Sequence, residues 1–172
     1  MTAPESNAAV IARFYHALDR HDAEAMIACY APDATFSDPV FQELDAAGVA
    51  AMWRMLCARG KDLHVMASEI EADATTGRAH WDATYTYSAT GRSVENKIDA
   101  TFAFRDGLIT RHEDRFDLHR WARQALGLPG LLLGWAPPMQ KAIRAKAAKA
   151  LVAWQGRDAN MAPTTASGAG RS

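Results

Sequence analysis

Residues 30–41, YAPDATFSDPVF, decide the fold, because a helical pattern ends in this stretch and a strand pattern begins. A proline–aspartate pair predicts a turn after the helix. Beyond that turn, Phe36, Asp38 and Val40 would share one face of a strand, since side chains repeat every second residue. Two of the three are apolar, so the sequence predicts an inward face that carries one carboxylate.

Asp38 is a candidate general base. Pro39 follows it directly and favours an extended backbone at Asp38. Burial raises the pKa of a carboxyl group, and a carboxylate with a pKa near neutral is an effective base. The alternative is a turn or strand-end aspartate, half exposed and hydrogen-bonded to its own backbone.

Composition indicates an ordinary globular domain. The chain has 172 residues, 49% of them hydrophobic and 23% charged, with a net charge of −1. We therefore expect no nucleic-acid partner. The first residues lack the pattern of a signal peptide, and no apolar run approaches the ~20 residues that span a bilayer. We expect a cytoplasmic protein without a membrane partner.

The cysteine and glycine patterns suggest that any chemistry uses side chains alone, without a metal or a cofactor. Cys29 and Cys57 fall in helical patterns, which favours two buried free thiols. The sequence shows no cysteine–histidine spacing typical of zinc and no glycine-rich phosphate loop. We expect neither a metal nor a cofactor.

The order of elements predicts an α+β fold, because three helical patterns are followed by four strand patterns. The helices are predicted at 6–20, just after Asp22, and at 48–59. The strands are predicted at 63–70, 78–88, 93–104 and 108–116. A helix at 117–126, a packed loop at 127–135 and a basic helix at 139–154 follow. Residues 1–154 would form one domain, and residues 155–172 a disordered tail.

Two segments resemble the nuclear transport factor 2 superfamily, which includes ketosteroid isomerases, SnoaL-like polyketide cyclases and limonene-epoxide hydrolases. They are FYHALDRHDAEAMIACYAPDATFSDPVF (14–41) and FAFRDGLITRHEDRFD (102–117). The resemblance extends over about 7–154. It implies a cone-shaped, cystatin-like α+β barrel: a curved mixed or antiparallel sheet, three N-terminal helices, an extra C-terminal helix and a conical cavity.

The resemblance also implies site residues. The catalytic base of the isomerases lies in an Asp-Pro-Val segment, which corresponds to Asp38. Their oxyanion-hole tyrosine corresponds to Phe14, which has no hydroxyl, although Tyr15 is adjacent. Their neutral aspartic acid falls near Asp99, which would face outward if Phe102 faces inward. We therefore do not expect steroid isomerase activity.

The last strand carries two further candidates. His112, Asp114 and Phe116 share one face, and the phenylalanine indicates that this face is inward. The resemblance implies that an inward acid or histidine here acts in proton transfer. The alternative is that His112 and Asp114 only satisfy each other's hydrogen bonds in a closed core.

Aromatic side chains would line the cavity, with a few polar groups among them, as in small-molecule pockets. The same spacings are also those of a plain core. The predicted substrate contacts are Phe14, Tyr15, Trp53, Trp81, Tyr85, Asn96 and Phe102.

These observations favour a cofactor-free enzyme of isomerase, cyclase or hydrolase type that acts on a small apolar molecule, with Asp38, His112 and Asp114 as catalytic groups. The alternative is a non-catalytic ligand-binding or dimerising scaffold domain. The resemblance implies a homodimer formed through the outer face of the sheet.

Overall fold

The computed structural model describes residues 5–161 and confirms the α+β fold. The elements, in chain order, are α1 (Asn7–Asp19), α2 (Ala23–Ile27), β1 (Tyr30–Ser37), α3 (Ala46–Arg59), β2 (His64–Ala72), β3 (Thr76–Tyr87), β4 (Arg92–Arg105), β5 (Leu108–Arg115), α4 (Leu118–Leu126), α5 (Leu128–Leu133) and α6 (Pro137–Met161).

Four helices begin at a side-chain cap. Oxygens of Ser6, Asp22, Asp45 and Asp117 each accept a backbone N–H three residues further on, at 3.2, 3.0, 2.8 and 3.0 Å. Such a cap satisfies one of the N–H groups that a helix leaves unpaired at its start. Ser6 and Asp22 stand where the sequence predicts the first two helices to begin.

The sheet has five strands in the order β1-β5-β4-β3-β2 and is mixed. β1 runs parallel to β5, and the other pairs are antiparallel. The register of β1 shifts between Tyr30 and Thr35. The turn predicted at residues 32–33 is therefore wrong: β1 continues through these residues with an irregularity, and Pro32 has no N–H for the ladder.

The hairpin between β4 and β5 follows the prediction. Asp106 and Gly107 have φ of 54° and 75°. Two consecutive positive φ values suit the right-handed twist of the two strands, and Asp-Gly is a sequence that tolerates them. This turn sets the pairing of β4 with β5 and so determines which β5 side chains face inward.

Helices α1 to α3 pack on one face of the sheet. We call the apolar core between these helices and the sheet the interior. Its most deeply buried members include Ile11, Phe14, Met52, Ile98 and Ile109, each at most 2% exposed. A second apolar cluster joins α4 and α6 to Val94 of β4.

The structure corrects two C-terminal predictions. Residues 128–133, predicted as loop, form α5, with Pro129 in the first turn, where a missing N–H leaves no helical bond unmade. Helix α6 continues to Met161, beyond the predicted end at Trp154. The predicted tail therefore starts inside a helix, and its residues 162–172 lie outside the described residues. Within the described chain, no helix combines the length and apolarity needed to cross a membrane.

Candidate functional site

Asp38 lies just after β1, in a turn and not on a strand. β1 ends at Ser37, so the predicted strand face shared by Phe36, Asp38 and Val40 is wrong. Asp38 Oδ1 accepts the backbone N–H of Val40 at 2.6 Å and that of Phe41. The backbone N–H of Asp38 donates to the Phe41 carbonyl at 2.8 Å. The local-turn alternative is thus correct for this oxygen.

The same carboxyl group is also strongly desolvated. Asp38 is half-buried, and burial raises its pKa from 3.8 to about 7. The N–H groups of Val40 and Phe41 act in the opposite direction, because they stabilise the charged form, and the Asp114 charge adds a further upward contribution. Oδ2 of Asp38 makes no hydrogen bond to another described residue, so a turn aspartate keeps one oxygen for other chemistry.

His112 and Asp114 lie deeper, on β5. His112 is fully buried and Asp114 is 4% exposed. Their side chains meet, with His112 Nε2 2.9 Å from Asp114 Oδ1. The predicted inward face of β5 is therefore confirmed. Asp99 on β4 faces outward, as expected, and lies 2.7 Å from Nδ1 of His80.

Both ring nitrogens of His112 have hydrogen-bond partners. Trp53 Nε1–H can only donate, and it donates to the Tyr30 hydroxyl at 3.1 Å. The Tyr30 hydroxyl oxygen in turn lies 2.7 Å from His112 Nδ1, at hydrogen-bond distance. On its other side, His112 Nε2 lies at hydrogen-bond distance from Asp114 Oδ1. The bonds therefore run from Trp53 through Tyr30 and His112 to Asp114.

Aromatic rings enclose this chain of hydrogen bonds. Ring centroids of Phe102, Phe36 and Phe14 lie 4.3, 5.0 and 5.4 Å from the His112 ring. Trp53 is stacked near His112 at 6.3 Å. The predicted contacts Phe14, Trp53 and Phe102 thus face the interior and touch one another or His112, as the plain-core alternative requires. A ligand beside His112 would have to displace rings.

Tyr15 brings a second polar group toward Asp114. Its side chain is 3% exposed, and its hydroxyl has no hydrogen-bond partner in the described structure. Burial and the Asp114 charge both raise the pKa of Tyr15 well above the usual value. The Tyr15 ring lies 5.5 Å from Trp81, whose Nε1 donates to Asp114 Oδ1 at 3.5 Å. The side chains of both Phe14 and Tyr15 therefore point from α1 into the interior.

Four interior polar groups have unused hydrogen-bonding capacity within the described chain. Asn96 is 9% exposed, faces the interior from β4 opposite Ala83, and makes no side-chain hydrogen bond to a described residue. The other three are Oδ2 of Asp38, Oδ2 of Asp114 and the Tyr15 hydroxyl. Buried polar groups are normally paired, and of these four only the Tyr15 hydroxyl is fully buried, so it is the one most in need of a ligand partner.

Val40, Tyr85 and Phe116 form one end of the interior, which we call the open end. In this structure the C-terminal helices cover that end. These side chains pack against the cluster of α4 and α6. Trp121 Nε1 donates to the Tyr85 hydroxyl at 2.7 Å, and Arg144 Nε donates to the Pro39 carbonyl, beside Asp38, at 2.9 Å. Burial raises the pKa of Tyr85 to about 12, with a small contribution from Asp38.

A pocket of about 170 Å³ lies between α2, β1 and α3. Its lining is apolar apart from Tyr30, and it contains no carboxylate or imidazole: Ile27, Tyr30, Ala31, Pro32, Ala34, Ala46, Val49 and Ala50. Asp38 is not among its lining residues, so we do not treat it as the candidate site. Among the described residues, no group of three His, Cys, Asp or Glu side chains could hold a metal ion.

Sequence reasoning missed Tyr30 as a site residue. The sequence predicts the end of a helical pattern at this position, whereas Tyr30 begins β1 and connects Trp53 to His112. No local signal distinguishes the two placements, because an aromatic residue suits both a helix stripe and a buried strand. The parallel pairing of Tyr30 with Ile109 brings its hydroxyl to His112, and that pairing is long-range.

The structure is thus an α+β fold with a five-stranded mixed sheet, helices on one face and an enclosed histidine–carboxylate pair. The model of the SnoaL-like domain family matches residues 11–112. The chain therefore belongs to the SnoaL-like family, within the nuclear transport factor 2-like superfamily. No curated protein matches the sequence.

Solved structures confirm the fold. IdmH from Streptomyces antibioticus, a proposed polyketide cyclase, is 24% identical, with a TM-score of 0.61 over 72% of this chain and 100% of IdmH. An NTF2-like protein of unknown function from Burkholderia pseudomallei is 21% identical, with a TM-score of 0.62 over 70% and 98%. AclR from Streptomyces galilaeus, a proposed hydroxylase, is 18% identical, with a TM-score of 0.60 over 76% and 99%. At these identities the likeness concerns the fold alone.

Proposed function

We propose that this protein is a cofactor-free enzyme that moves protons on a small, mostly apolar substrate, in an isomerase, cyclase or hydrolase reaction. The observation that carries the proposal is Asp38: a desolvated carboxyl group with a pKa of about 7 and one oxygen without a partner in the described chain. A base is most effective when its pKa lies near the working pH, and burial provides that value here.

Asp38 removes a proton from the substrate or from a water molecule, and the interior supplies donors for the oxygen on which charge develops. The Tyr15 hydroxyl is such a donor, since it is buried without a partner in the described structure and lies near Asp114. Asp38 then returns its proton to the product, and Asp114, whose Oδ1 is held by His112, orients the substrate. Asn96 contributes a neutral contact.

The substrate enters at the open end, where Asp38 is half-buried under α6. For the substrate to enter, α4 and α6 have to move away from the open end, because Tyr85 and Val40 pack against the apolar cluster that these helices form. The fold likeness to IdmH and AclR supports a small-molecule ligand, and the reaction type rests on the side chains of this chain.

A ligand screen on matched variants tests the proposal. Small apolar carbonyls, epoxides and lactones are screened by thermal shift against wild type, Asp38→Asn and Asp73→Asn. Asp73 also caps a turn through its side chain but is exposed, so it controls for the turn. At 100 times its Kd, a ligand adds about 2.7 kcal/mol of stability.

We expect at least one compound to stabilise wild type and Asp73→Asn equally, and to be converted by both. Asp38→Asn should bind it differently and convert it at least ~100-fold more slowly, the usual contribution of a positioned base. Equal turnover by Asp38→Asn and wild type would rule out Asp38 as the base.

A binding module without turnover is the second candidate. The packing of Phe14, Phe102 and Trp53 around His112 favours it, because an interior filled by rings suits a scaffold. A hit that is recovered unchanged from wild type after long incubation would support this candidate. The homodimer through the outer face of the sheet is also a proposal, and sedimentation analysis tests it.

A further inference from the structure

An apolar surface projects from α5. Of the seven large hydrophobic side chains that are exposed in the described chain, five lie within residues 128–135, with exposed fractions from 43% to 72%. We call them the Leu-Trp surface: Leu128, Leu131, Leu132, Leu133 and Trp135. A concentration of this kind on a protein surface marks an interaction site.

The backbone of residues 128–135 packs against α4 through its glycines, so the leucine side chains remain exposed to solvent. A Cβ on Gly130 would lie 1.9 Å from the Ala122 carbonyl oxygen, and one on Gly134 would lie 2.9 Å from the Ala122 Cβ. The glycines therefore provide the face that packs on α4. Trp135 Nε1 donates to the Leu132 carbonyl at 3.0 Å, which fixes the indole beside the leucines.

The segment around this surface is cationic. Residues 118–157 contain seven Lys or Arg and no Asp or Glu, whereas residues 5–117 contain 11 Lys or Arg and 19 Asp or Glu. Two exposed cations adjoin α5: Arg123, whose backbone nitrogen is close to Gly130, and Lys141, which follows Gln140, a hydrogen-bond partner of the Gly134 carbonyl. In residues 5–157, no cation of α4 or α6 forms an ion pair with a carboxylate.

We propose that the Leu-Trp surface docks on an anionic lipid bilayer, with its leucines and Trp135 inserted at the interface and Arg123 and Lys141 on the lipid headgroups. Apolar side chains flanked by Lys and Arg are the combination by which proteins bind membrane surfaces, and tryptophan is favoured at that interface. This reverses the expectation from the sequence of no membrane partner.

Charge disfavours the two other occupants. A two-fold contact between copies of this chain through the Leu-Trp surface would place two cationic segments against each other. A nucleic acid would satisfy the cations but would leave four leucines exposed to water or phosphate. An anionic bilayer satisfies both kinds of side chain.

Vesicle co-sedimentation tests the proposal with the full chain. Wild type, Leu132→Asp and Met66→Asp are compared on phosphatidylcholine vesicles and on phosphatidylcholine–phosphatidylserine vesicles. Met66 is the matched control, because it is 65% exposed, as is Leu132, but lies on β2. We expect wild type and Met66→Asp to bind the anionic vesicles only, and Leu132→Asp to bind at least ~10-fold more weakly.

The charge contribution has its own control. Lys141→Glu should weaken binding to anionic vesicles and Lys61→Glu, an exposed cation on the loop before β2, should not. Added salt should release wild type. Emission from exposed Trp135 should shift to the blue on binding, and Trp135→Phe should bind without that shift.

Three results would overturn the proposal: no binding to anionic vesicles, equal binding by wild type and Leu132→Asp, or equal binding to neutral and anionic vesicles. Sedimentation velocity of wild type and of Leu132→Asp identifies one further outcome. If wild type is a dimer that Leu132→Asp converts to a monomer, and vesicles do not bind, the surface is covered by a second copy and the proposal is wrong.

Discussion

Asp38 combines a turn cap with a desolvated carboxyl group, and substitutions can separate these roles. Asn keeps an Oδ1 acceptor for the N–H groups of Val40 and Phe41 but has no charge. Ala removes both features. We therefore expect Asp38→Ala to be less stable than Asp38→Asn by about 1–2 kcal/mol in urea unfolding, because the two N–H groups lose their acceptor.

The raised pKa of Asp38 gives a pH dependence with a definite sign. Its carboxyl has a pKa of 3.8 when unfolded and about 7 when folded, so the folded state holds more protons between these pH values. Its contribution to the unfolding free energy therefore falls as pH rises from about 4 to about 7, by roughly 2–4 kcal/mol, and is constant above.

Urea unfolding of wild type and Asp38→Asn across that pH range measures the effect. We expect Asp38→Asn to gain stability relative to wild type as pH rises. Asp73→Asn is the control, because the pKa of Asp73 is held at about 2, so its own pH dependence lies below about pH 4. A constant difference between wild type and Asp38→Asn from pH 4 to 7 would contradict the raised pKa.

Removal of the hydroxyl should lower the stability of the protein at one buried tyrosine and not at another. Tyr30→Phe leaves Trp53 Nε1 and His112 Nδ1 without their partner, which should cost about 1–3 kcal/mol in urea unfolding. Tyr15→Phe removes a buried hydroxyl that has no partner in the described structure, so it should be neutral or stabilising. Tyr87→Phe gives the baseline for a half-buried hydroxyl without a described partner.

If Tyr15→Phe destabilises as much as Tyr30→Phe, the Tyr15 hydroxyl is structural and is not free to meet a ligand. The sequence favoured an inward Asp114, because Asp114 alternates with Phe116, and it placed Asp99 outward only on the condition that Phe102 faces inward; the structure meets that condition. It did not predict the role of Tyr30, which depends on the parallel pairing of β1 with β5.

Among the elements, α5 is the one that sequence patterns missed. Its Gly and Pro content is typical of a loop, and its helical form depends on close packing against α4 that no local pattern reveals. The strands were predictable to within a few residues, because alternation and Asp-Gly turn chemistry are local.

The packing of α5 on α4 makes a prediction about glycine. Gly130→Ala would place a methyl group 1.9 Å from the Ala122 carbonyl oxygen, and we expect a loss of about 1–3 kcal/mol in urea unfolding. Gly156→Ala in α6 is the matched control: nothing lies within 4 Å, and Ala is the better helix former by about 1 kcal/mol. If Gly130→Ala is as stable as Gly156→Ala, α5 does not pack on α4 as described.

In the molecule as a whole, a SnoaL-like α+β body is joined to a C-terminal segment that closes its open end. IdmH, matched over its full length, covers 72% of this chain, so more than a quarter of this chain has no counterpart in that match. The order of elements was sufficient to predict the body. The contacts of Arg144 and Trp121 near Asp38 join residues far apart in sequence, and local patterns do not specify them.

Titration of the Asp38 carboxyl by carbon-detected NMR is the most direct test of the proposed function. Spectra of protein labelled at the aspartate carboxyl carbons are recorded across the pH range, for wild type and Asp38→Asn. We predict one resonance that titrates near pH 7 and is absent from the Asp38→Asn spectrum. If the resonance missing from Asp38→Asn titrates near pH 4 in wild type, Asp38 is an ordinary turn aspartate, and its assignment as the catalytic base is wrong.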